Sequence, residues 1–148
     1  MYKKILVPVD GSATATRGLE EAVTLALELQ AQLRIVHVVN ELIVVGGEQM
    51  YYDFPTVIES LREQGKRVLQ AAEAYARGRG VEVQVELVEA VGNKAAEFIV
   101  KCAAAWAADL IVMGTHGRRG FGRWALGSDA ESVLRSASVP VLLVRAPA

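Results

Sequence analysis

The stretch Asp109-Leu-Ile-Val-Met-Gly-Thr-His-Gly-Arg-Arg-Gly-Phe-Gly-Arg-Trp-Ala-Leu-Gly-Ser-Asp-Ala-Glu131 decides how the rest of the chain is read. Leu110 to Met113 is a short apolar run of the kind that forms a strand buried on both faces. Gly114, Gly117, Gly120, Gly122 and Gly127 follow, interspersed with Arg118, Arg119 and Arg123. Ser128-x-x-Glu131 has the form of a capping box and predicts the start of a helix. Strand, glycine-rich basic loop and helix N-terminus form a phosphate cradle. Glycine lets backbone N–H groups approach an anion, and the helix end supplies unpaired donors and a partial positive charge.

Outward from this loop the chain reads as strand–helix units. Ile5 to Val9 is a continuous apolar run, with Pro8 marking the end of its ladder. Asp10-Gly11-Ser12 is a turn, and Leu19, Ala22, Val23, Ala26 and Leu29 place a helix over about Thr14 to Leu29. Leu33 to Val39 is a second buried strand. Asn40 to Pro55, with Gly46-Gly47 and Met50-Tyr51-Tyr52, reads as a loop. Thr56-x-x-Glu59 is a second capping box, and the stripe from Val57 to Ala76 carries a helix to Gly78 and Gly80. Val81 to Leu87 alternates strictly, which predicts a strand with one wet face at a sheet edge. Asn93 is placed to cap a third helix ending near Ala107. A helix from about 128 to 137 and a strand Val139 to Val144 close the chain.

Four strand–helix units and a final strand predict one α/β domain over residues 1–148. The expected architecture is a doubly wound, five-stranded parallel sheet of order 3-2-1-4-5 with helices on both faces. Ligands in such sheets bind beyond the carboxyl ends of the strands at the switch point, here between strands 1 and 4. Asp10-Gly11-Ser12 and Gly114 to Gly127 both lie there.

Composition agrees. Hydrophobic residues make up 52% and aromatics 6% of 148 residues, so the apolar content is mostly aliphatic and suits helices packed on a sheet. With 16 basic against 17 acidic residues there is no electrostatic case for nucleic acid or an anionic membrane. The one cysteine, Cys102, excludes an intrachain disulfide and reads as a buried, inert thiol. No apolar run approaches the roughly 18 residues of a membrane span. The chain opens on a strand pattern rather than an apolar signal segment, so a cytoplasmic location is expected.

Two familiar phosphate loops are excluded. Gly122-x4-Gly127 is followed by Ser128, so the lysine of a Walker loop is missing. Gly120-x-Gly122-x-x-Ala125 is half a dinucleotide fingerprint, too far from its strand and without an acidic residue about twenty positions on.

The spacing Gly114-x2-Gly117-x9-Gly127-Ser128 resembles the ATP-binding signature of the universal stress protein family. So do Ile5-Leu-Val-Pro-Val-Asp-Gly-Ser12, Val36-His37-Val38-Val39, Met113-Gly-Thr-His-Gly117 and Pro140-Val-Leu-Leu-Val144, over essentially the full length. The resemblance implies an adenine-nucleotide site. Pro8, Val9 and Asp10 would lie at the adenosine side, and the backbone of Val38 would meet the adenine edge. Met113, Gly114, His116, Gly117, Gly127, Ser128 and the N–H of Asp129 would wrap the ribose phosphates, often with a divalent ion such as Mg²⁺. It also implies a homodimer through Val139 to Val144, a strand whose apolar edge invites pairing. Asp129 stands where the family often has an apolar residue or threonine. Its carboxylate suits a helix start but repels a nearby phosphate unless it points away or holds a cation.

Each of these residues also has a plainer reading. Asp10 fits an ordinary Asp-Gly-Ser turn, and Ser128 fits a helix cap. The arginines could be a solvated cluster, with Arg118 the best placed to reach phosphate. His37, between valines, reads as a satisfied core or edge histidine. His116 has no partners at metal-ligand spacing. Trp106 and Trp124 read as packing residues, and Tyr51 and Tyr52 as a loop or a lid. The expected function is a stress-associated regulatory protein binding ATP. No base–nucleophile pair is evident, so at most slow ATP hydrolysis is expected. A nucleotide-free interaction module, meeting client proteins, is the remaining reading.

Overall fold

The computed structural model describes residues 1–40, 54–90, 92, 95–116 and 126–147. In chain order they form β1 (Lys4–Pro8), α1 (Ala13–Leu29), β2 (Gln32–Asn40), α2 (Phe54–Gly78), β3 (Val83–Ala90), α3 (Ala95–Trp106), β4 (Leu110–Gly114), α4 (Ser128–Ser136) and β5 (Val141–Val144). All five strands are parallel and lie in the order β3-β2-β1-β4-β5. The alternating strand is an edge, as its pattern predicts.

Strand parity divides the interior in two. Ile5, Val7, Leu33, Ile35, Leu110 and Val112 face α1 and α2, meeting Leu19, Val23 and Leu69. Leu6, Val36, Ile111 and Met113 face α3 and α4, meeting Ile99, Trp106, Ala130 and Val133. The central strands are therefore largely apolar, because both of their faces are roofed; Arg34 and His37 on β2 are the polar exceptions inside the ladder. Trp106 is a packing residue, with the Arg34 guanidinium 4.8 Å and the Lys4 ammonium 5.5 Å from its ring centre. Cys102 is half-buried on α3, and desolvation raises its thiol pKa, which suppresses the reactive thiolate. Among the described residues no helix is long and apolar enough to cross a membrane.

Several boundaries differ from expectation. The last strand begins at Val141 rather than Val139, and the Pro140 carbonyl still accepts from Ile111 N at 3.0 Å although proline has no N–H to continue the ladder. Helix α2 is already under way at Phe54, so Thr56 and Glu59 lie inside it and form no capping box; Glu59 instead pairs with Arg62 at 3.3 Å. Helix α1 is capped by Ser12, whose Oγ accepts from Ala15 N at 3.2 Å. Asn93 lies outside the described residues.

One close contact sets helix α1 against the end of β4. A Cβ built on Gly114 would stand 2.7 Å from the Thr14 carbonyl carbon and oxygen and 2.9 Å from Ala15 N. Across from it, a Cβ on Gly18 would be 3.1 Å from Gly114 N. Helix α1 thus presses backbone against backbone on the end of β4. Gly114→Ala forces that contact apart and should destabilise the fold by about 1–3 kcal/mol. A lower urea midpoint with an unchanged slope is the expected result; an unaltered midpoint contradicts the packing described.

Candidate functional site

The β1 ladder stops at Pro8, and Val9 N makes one further bond to Val36 O at 2.8 Å. The chain then turns through Gly11 at φ +82, with Asp10 Oδ1 accepting from Ser12 N at 2.8 Å. Asp10 does serve its turn, through one oxygen. Among the described residues Oδ2 takes no hydrogen bond, so the turn engages one oxygen of the carboxylate and not the other.

The opposite wall is the end of β4. Met113 is buried, and Thr115 N donates to Val144 O at 3.0 Å. The Thr115 carbonyl accepts from Gly127 N at 2.7 Å, which closes the two stems of the glycine-rich loop on each other. Thr115 Oγ1 and His116 Nδ1 are 2.8 Å apart, and the Thr14 hydroxyl donates to the His116 carbonyl. The entrance of α1 is therefore tied to the entrance of the loop. Thr14 and Thr115 carry these ties, and neither announces itself in the sequence.

Helix α4 begins as expected at Ser128, but its cap is Gly127, not Ser128. Glu131 N donates to Gly127 O at 2.9 Å, and no side chain caps the helix. Ser128 sits at the first helical position, past the point where its hydroxyl could cap. Glu131, the far half of the expected box, pairs with Arg135 at 2.7 Å instead. Among the described residues no hydrogen bond engages the N–H groups of Ser128, Asp129 or Ala130, so this end of α4 offers unpaired donors to the crevice.

Asp129 is the electrostatic anomaly. Burial, and then the negative charge of Asp10, raises its carboxyl pKa above the ordinary range. The helix dipole acts the other way. The two carboxylates thus share the crevice closely enough to repel. Val38, at the end of β2, lies where continuation of the β1–β2 register would set it opposite Asp10. His37 is buried, with Nδ1 2.8 Å from Val9 O, and is the satisfied core histidine expected.

Pro8, Val9, Asp10, Val38, Met113, Gly114, His116, Gly127, Ser128 and Asp129 therefore all fall at the carboxyl end of the sheet around β1 and β4. Gly117 and Arg118 lie outside the described residues, as do Arg119, Gly120, Gly122, Arg123, Trp124, Tyr51 and Tyr52. Among the described residues no group of three or more His, Cys, Asp or Glu side chains could hold a metal by itself. Asp10 and Asp129 are hard oxygen donors suited to Mg²⁺ only where a ligand supplies further oxygens.

Because Asp129 is held above its ordinary pKa, its ionisation costs the folded state. The stability it contributes is present below the unfolded-state pKa and lost as pH rises through the folded one. Asp129→Asn should melt higher than the parent protein at pH 7, with the difference closing toward pH 4. Equal melting temperatures across that range contradict the repulsion.

The model of the universal stress protein family matches residues 1–145. Universal stress protein MJ0531 of Methanocaldococcus jannaschii is 37% identical over 148 residues, covering 99% of this chain and 84% of that protein. The structure of MJ0577, from the same organism, superposes with a TM-score of 0.86 at 28% identity, covering 100% of this chain and 99% of that one. The Archaeoglobus fulgidus universal stress protein in complex with dAMP superposes at 0.67 with 26% identity, covering 97% and 98%. With the parallel sheet of order 3-2-1-4-5 and the family match over nearly its whole length, the chain belongs to the universal stress protein family.

Proposed function

We propose that this chain is a regulatory protein that binds an adenine nucleotide, ATP with Mg²⁺, in the crevice between β1 and β4, and acts as a homodimer. The observation that carries this is the uncapped start of α4, set beside closed loop stems and across from the end of β1. Unpaired helical N–H groups beside a glycine-rich loop are an anion site. The dAMP complex of the Archaeoglobus relative supports an adenine nucleotide as the anion.

On this reading the N–H groups of Ser128, Asp129 and Ala130, with Gly117 and Arg118 of the loop, take the phosphates. The backbone of Met113 and Gly114 borders the ribose, Asp10 lies at the adenosine side and Val38 at the base. Asp10 and Asp129 would hold Mg²⁺ together with phosphate oxygens, and the ion would supply charge neutralisation between carboxylates and phosphates. The dimer rests on β5, an edge strand on which Leu142 is 37% exposed.

One observation favours the nucleotide-free alternative. Gly114 is required by the packing of α1, so that glycine does not by itself argue for a ligand. The readings part on direct measurement. Protein purified without added nucleotide, then denatured, should release an adenine nucleotide, or the emptied protein should bind ATP in a calorimeter. A protein that is empty and ignores ATP, AMP and cyclic nucleotides overturns the proposal.

Two variants extend the test. Asp129→Asn should bind ATP several-fold more tightly than the parent protein in EDTA, with the gap narrowing when Mg²⁺ is added; an unchanged gap contradicts the metal role. Leu142→Lys should shift the protein from dimer to monomer in analytical ultracentrifugation, and an unaltered dimer places the interface elsewhere.

A further inference from the structure

Strands β1 and β2 pair in register from Lys4↔Gln32 to Pro8↔Val36. In a parallel pair alternate residues turn both backbone groups toward the same neighbour. On β2 the even-numbered residues face β1: Gln32 N donates to Lys3 O at 2.9 Å, and Val36 O accepts from Val9 N at 2.8 Å. One step further, Val38 N would donate to Val9 O, and Val38 O would accept from Gly11 N. Among the described residues neither bond is made. The Val9 carbonyl instead lies 2.8 Å from His37 Nδ1, and Gly11 turns away with φ +82. A carbonyl only accepts, so Nδ1 carries the proton and the imidazole stands in for the missing amide.

The ring is fixed by packing. His37 is 8% exposed, and its other edge meets α2 at Gly65, where a Cβ would lie 2.6 Å from His37 Cδ2 and 2.8 Å from Leu87 Cδ1. Glycine is unfavourable inside a helix, and here its missing side chain is the space the imidazole occupies.

The consequence falls on Val38. Its N–H and C=O face the β1 side at the level of Asp10, a donor beside an acceptor that no strand among the described residues takes. That pair complements a purine presenting a ring nitrogen next to an exocyclic amine, as adenine does. It mismatches guanine, which presents N–H next to a carbonyl. We infer that His37 is a positioning residue for base specificity: by capping the Val9 carbonyl it stops the β1–β2 ladder from closing over Val38 and holds that backbone edge open to adenine. This rests on the nucleotide reading proposed above.

The test has two independent readouts. Amide hydrogen exchange at Val38, followed by NMR in nucleotide-free protein, should be fast in the parent protein and protected in His37→Val, where the ladder can close. It should stay fast in His37→Asn, whose amide keeps a donor at the Nδ1 position. Calorimetry with ATP, GTP and inorganic triphosphate should show His37→Val weakening ATP about tenfold, the effect of one base-edge hydrogen bond left unmade. Its ATP-to-GTP preference should fall toward one while triphosphate is bound as before, and His37→Asn should restore the preference. Gly65→Ala, which displaces the ring from the α2 side, should move both readouts in the direction of His37→Val. Protection of Val38 in the parent protein, or an unchanged ATP-to-GTP preference in His37→Val, overturns the inference. If the parent protein binds no nucleotide, the functional reading and the specificity role fall together, while the exchange data still decide whether His37 caps the ladder.

Discussion

The architecture depends on the backbone contact between the first turn of α1 and the end of β4 at Gly114. Interiors are packed near crystal density, so two backbones that touch without intervening side chains define a distance that little else can adjust. That distance sets how far the turn after β1 lies from the loop after β4. The Thr14 hydroxyl on the His116 carbonyl and the Thr115 carbonyl on Gly127 N then fasten both loop stems to the same frame. The crevice is therefore a property of helix–strand packing, and the loop is hung from it.

This explains which parts were legible in the sequence. Apolar runs marked β1, β2 and β4 despite Lys4, Arg34 and His37, and alternation marked β3, which lies at an edge although Val85, on its apolar parity, is itself exposed. The capping boxes misled because Ser-x-x-Glu and Thr-x-x-Glu are also ordinary helix spacings. Glu131 and Glu59 have arginines within one turn, at Arg135 and Arg62, and a carboxylate pairs with the nearer full charge rather than reaching back to an amide. The side-chain cap seen among the described residues, Ser12 on Ala15 N, has no glutamate three positions on and fits no box. Thr14 and Thr115 were invisible because their roles are fixed by partners brought close only in the fold, over a hundred residues apart for Thr14 and His116.

Glycine required a similar correction. Five glycines between Gly114 and Gly127 read as a single phosphate-binding feature, yet Gly114 answers to α1 and Gly127 to the start of α4. A glycine run can serve packing at its ends and a ligand between them. Its total therefore overstates the evidence for a ligand, and the uncapped N–H groups of α4 are the stronger sign because nothing in the described fold uses them.

Charge completes the picture. The chain is nearly neutral overall, at −1, so selectivity cannot come from a long-range field and has to come from groups inside the crevice. There the positive end of α4 faces two carboxylates, Asp10 and Asp129, one of which is already strained toward protonation. On the proposed reading a bare polyphosphate would meet attraction from the amides and repulsion from the acids. A phosphate arriving with a divalent cation would turn that repulsion into coordination while keeping the amide contacts. On the proposed reading, the acidic substitution at Asp129 therefore selects for the metal-bound form of the nucleotide, and the affinity it sacrifices for free phosphate is the means of that selection.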